Sequence, residues 1–72
     1  MDEHGFQEAL KALLEDIAFM DDEERADAGV PDELAGVKHV RTYEEEGVMT
    51  RDAGLVVRTA DGEFQVTIIR SR

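Results

Sequence analysis

The chain has 72 residues, enough for one domain over 1–72, at a size where a single core supplies only about 3 to 5 kcal/mol of net stability. It has no cysteine, which excludes disulfides and thiolate metal sites, and no apolar run near the ~20 residues of a membrane span, so a soluble cytoplasmic protein without a cofactor is expected. The formal charge of −10 sits wholly in the first half: Met1 to Gly36 carries twelve acids against Lys11 and Arg25, whereas Val37 to Arg72 carries six acids and six bases. Such a field repels phosphate backbones and favours a basic protein partner, so direct nucleic-acid binding through that half is not expected. The plain alternative is that the acid serves solubility or growth in high salt.

The first element is an amphipathic helix over about 4–20. Phe6, Leu10, Leu13, Ile17 and Met20 recur at spacings of 4, 3, 4 and 3, with Ala9 and Leu14 widening the stripe and Glu8, Lys11 and Glu15 opposite. About two heptads are too few for a coiled coil, so the stripe reads as a core face. Phe19 points away from it. An acidic connector over 21–36 follows. From Asp21 to Gly29, five acids accompany only Ala26 and Ala28, a composition that predicts mobile, solvated chain. In GVPDELAG a short helical turn is expected, with Pro31 in its first position, Leu34 as its apolar anchor, and Gly36 ending it with a positive φ.

A sheet over 37–71 completes the chain. VKHVRTY, Val37 to Tyr43, reads as a strand; neither side of it is cleanly apolar, which suits an edge. Beyond the loop EEEGVMTRDAG, Asp61-Gly62 between two alternating runs predicts a β-hairpin with a type I′ turn. That turn pairs Ala60 with Glu63, and Thr59, Val57 and Leu55 with Phe64, Val66 and Ile68 on the core face. The other face receives Arg58 with Gln65, Val56 with Thr67, and Ile69. The expected architecture is a two-layer α+β domain: one N-terminal amphipathic helix on a three-stranded antiparallel β-meander.

Site chemistry is sparse. An EF-hand frame from Asp21 fails because Arg25 and Ala26 fall where a ligand and a glycine belong, and a frame from Asp27 fails at Gly29 and Pro31. His4 and His39 are isolated. Ser71, Thr42, Thr50, Thr59 and Thr67 lack a recognisable base with an orienting acid, and the six glycines form no phosphate loop. A non-enzymatic protein-interaction module or accessory protein is expected, using a surface of Val56, Arg58, Thr67 and Ile69 that also suits a weak homodimer. The alternative is a nucleic-acid mimic whose acidic surface of Asp21, Asp22, Glu23, Glu24 and Asp27 occupies the basic groove of a DNA- or RNA-binding protein.

Overall fold

The computed structural model describes every residue from Met1 to Arg72. Helix α1 spans Glu3–Phe19 and is started by Asp2, whose carboxylate accepts the Gly5 N–H at 2.7 Å. Its core face differs from the expected stripe. Gln7, Leu14 and Ile17 are buried and Leu10 and Ala18 pack beside them, while Phe6 and Leu13 remain 51% and 55% exposed. The helix has rotated toward its Leu14 side because Gln7 is drawn under it: the Gly54 N–H donates to the Gln7 side-chain carbonyl at 2.9 Å.

Asp21 to Gly29 is not an unstructured connector. Helix α2 spans Asp22–Ala28, and Asp21 and Glu24 form a capping box in which each side chain accepts the other residue's backbone N–H. Acids crowded into a first turn suit the positive end of the helix, and the Arg25 guanidinium binds both the Asp22 carboxylate and the Met20 carbonyl. Gly29 ends α2 in the left-handed region, at φ 74°. A 3-10 turn over Asp32–Gly36 follows, with Pro31 before its first residue rather than in it and Leu34 against the core. Gly36 does not have the expected positive φ; its carbonyl accepts the Ala60 N–H.

Three antiparallel strands form the sheet: β1, Val37–Thr42; β2, Ala53–Thr59; β3, Glu63–Ile68. Strand β2 is central. Strand β1 carries a bulge, since Val37 opposes Thr59 while His39 opposes Arg58, which leaves Lys38 as the extra residue. The bulge resolves the mixed alternation of this segment: Val37, Val40 and Thr42 all turn inward and are buried. Tyr43 is not the end of the strand. It opens helix α3, Tyr43–Glu46, within the expected loop, started by a second capping box between Thr42 and Glu45 and ended by Gly47 at φ 71°.

The hairpin register differs from expectation by two residues. Leu55 opposes Val66 and Val57 opposes Phe64, and the chain turns at Ala60 and Asp61 between Thr59 and Gly62. No residue of the turn has a positive φ. Instead the Thr59 hydroxyl accepts the Asp61 N–H and donates to the Gly62 carbonyl, so a side chain does the work that left-handed backbone was expected to do. A slip of two preserves the facing of every side chain, and the two-layer architecture is unaffected.

The core of Leu14, Ile17, Val37, Val40, Leu55 and Val57 lies between α1 and the β1–β2 half of the sheet. A helix about 10–12 Å across covers two strands spaced ~4.8 Å, not three. Phe64 and Val66, expected in the core, are therefore 56% and 38% exposed.

Candidate interaction surface

Each side of the sheet has its own character. On the side away from α1, helix α3 folds back over β2, and Tyr43 is buried with its ring against Gly54 and its hydroxyl 2.7 Å from the Thr67 hydroxyl. Only a glycine fits there: a Cβ on residue 54 would lie 2.2 Å from the Tyr43 ring and 2.6 Å from the Val66 carbonyl oxygen. Around this contact the surface is ionic. Arg58 and Glu63 pair across strands at 2.8 Å, and Arg41 reaches Glu46 at 3.6 Å. Glu63 raises the Arg58 pKa by its hydrogen bond and its charge.

This arrangement redraws the expected interaction surface. Val56, Arg58 and Thr67 do share one face, but Val56 is only 5% exposed, and Thr67 is tied to Tyr43. Val56 is core. Ile69 is free, 71% exposed, and lies in a groove of about 290 Å³ with Met1, Phe6 and Ile68, flanked by Glu3 and Arg70.

The groove is one end of a larger apolar strip. Leu13 lies two helical turns beyond Phe6 on the same side of α1, and Phe64, Val66 and Ile68 share the α1-facing side of β3. Sequence does not mark Phe6, Leu13, Phe64 and Val66 as surface, because the first two fit the helical period of a core face and the last two its strand alternation. The available signal was the meander itself, which makes its last strand an edge. No polar side-chain atom is buried without a partner, so the strip is apolar surface rather than an unfilled polar site.

The acidic residues occupy fixed positions. Asp21 caps α2, Asp22, Glu23 and Glu24 form its first turn, and Asp27 follows one turn later, all exposed. Elsewhere carboxylates act locally. The Thr42 N–H, then the Lys11 ammonium at 3.2 Å, lower the Glu45 pKa; the Gly5 N–H does the same for Asp2. No three histidine, aspartate or glutamate side chains are grouped so as to hold a metal ion.

Fold and surface together define a small two-layer α+β domain with one uncovered apolar strip, and no helix in it is long and apolar enough to cross a membrane. No known protein family, curated protein or solved structure matches the chain.

Proposed function

We propose that the chain is a non-enzymatic, cytoplasmic protein-interaction module that docks a basic partner protein along the apolar strip between α1 and β3. The observation that carries this reading is the exposure of Phe6, Leu13 and Phe64, each more than half open to solvent in a domain with only twelve buried residues. An acidic first half supplies long-range attraction for a basic partner, and the strip supplies contact after encounter. The test is affinity capture from lysate at low and high salt, comparing the native chain with Phe6→Asp/Leu13→Asp. Proteins retained at high salt by the native chain and lost by the variant support the strip; identical retention by both overturns it.

A second reading draws on α2. Asp22, Glu23, Glu24 and Asp27 are held on a capped helix, and an ordered row of carboxylates is what mimicry of a phosphate track requires. Partners that dissociate steeply with salt, ignore the strip variant, and disappear when these four residues become Asn or Gln would favour the nucleic-acid mimic.

A further inference from the structure

The two outer strands of the sheet are unequal. Strand β1 exposes Lys38 and Arg41 on either side of His39, charges of the kind that discourage edge pairing. Strand β3 has no such guard. From Phe64 to Ile68 it contains neither charge nor proline, and β2 is its only hydrogen-bonded neighbour. The Thr59 N–H bond to the Gly62 carbonyl, 2.8 Å, sets the phase of the hairpin. Phe64, Val66 and Ile68 direct their backbone polar groups to β2, so Glu63, Gln65 and Thr67 direct theirs outward, where nothing in the chain takes them.

We propose that β3 pairs antiparallel with β3 of a second copy, across a two-fold axis at Val66, to make a continuous six-stranded sheet. Three features point to a second copy. Antiparallel pairing about Val66 sets Phe64 opposite Ile68 of the second copy and Val66 opposite itself, so every apolar position on the α1 side meets an apolar position. Hydrogen-bond phase forbids a shift by one residue, and a shift by two leaves either Ile68 opposite Gly62 or Phe64 opposite Arg70. The ends are self-complementary in charge: Asp61 and Glu63 precede the strand, or open it, and Arg70 and Arg72 follow it, so reversing the second copy brings acid beside base at both ends. Parallel pairing would set like against like. Net repulsion between two chains of charge −10 is long-ranged and is screened within ~8 Å at ~0.15 M salt, whereas the end contacts are short.

The interface uses the backbone edge beside the docking strip and stands whether or not that strip binds another protein. Its test uses the purified chain alone. Because the chain has no cysteine, Val66→Cys introduces a single thiol at the two-fold axis, in a pair where Cβ atoms lie ~4.5–5.5 Å apart. Under mild oxidation it should form a disulfide-linked dimer on the order of 100-fold faster than Met49→Cys, whose thiol is the more exposed of the two but lies away from β3. Sedimentation equilibrium at ~0.15 M salt should show a reversible dimer of the native chain. Gln65→Pro removes an outward N–H that β2 does not use and should weaken that dimer about tenfold or more with the circular dichroism of the monomer unchanged. A native chain that stays monomeric to millimolar concentration, or equal cross-linking rates for the two cysteine variants, overturns the proposal.

Discussion

Gly54 is where three distant parts of the chain meet. Its N–H is held by Gln7 from α1, and its missing side chain makes room for both the Tyr43 ring and the Val66 carbonyl. Gly54→Ala should therefore cost about 3 kcal/mol in chemical denaturation, because one of the two clashes is with backbone that cannot step aside. Gln7→Leu keeps the volume but leaves a buried N–H without an acceptor, at a cost of about 1–3 kcal/mol. None of this was legible in the sequence. Nothing local links residue 7 to residue 54, and a glutamine beside an apolar stripe reads as surface. Glu45 adds a pH dependence whose sign follows from its partners. Its folded pKa lies below its unfolded value, so its contribution is present above the unfolded value and is lost as pH falls through the folded one. The melting-temperature gap between the native chain and Glu45→Gln should be widest near neutrality and shrink in acid.

At the scale of elements, α2 and α3 show what the sequence made available and what composition obscured. Asp21-Asp22-Glu23-Glu24 and Thr42-Tyr43-Glu44-Glu45 both carry a capping residue followed three positions later by glutamate, and each stretch ends at a glycine in left-handed conformation. Net charge argues for mobile chain, and that spacing argues for a helix. Capping wins because each carboxylate satisfies a named backbone donor, a local gain that diffuse repulsion does not outweigh. Helix α2 buries no side chain, however, so its order rests on its caps and on Arg25. Asp21→Ala should cost the helix about 1 kcal/mol and speed amide exchange across Asp22–Ala28 about fivefold, with exchange in β2 unchanged. The hairpin was legible in facing but not in register: alternation fixes which residues share a side, whereas the pairing depended on the Thr59 hydroxyl, which alternation does not encode.

For the whole molecule, the helix-on-sheet arrangement followed from one change of period, from 3.6 to 2, and it holds. Which strands the helix covers did not follow, since that depends on where a single helix can sit over three strands. The result is a slab whose shortest extent is 16 Å, one helix on one sheet, with nine buried apolar residues. So small a core makes electrostatics visible. Added monovalent salt should raise the melting temperature by several degrees through screening of the charge of −10, and neutralising Asp22, Glu23 and Asp27 together should blunt that response.

Lys38, the extra residue of the β1 bulge, bears on how far the proposed assembly could run. A sheet with two regular edges can add copies at both and has no reason to stop; this one has a broken ladder on one side, so pairing through β3, as proposed, would leave no second point of attachment and would end when two have met. Removing Lys38 leaves Val37, His39, Val40, Arg41 and Thr42 in unbroken alternation, with the inward set unchanged. That deletion, combined with Arg41→Thr to remove the charge left on the edge, should convert the proposed pair into an open-ended polymer, seen as concentration-dependent fibres by electron microscopy, while the native chain forms none.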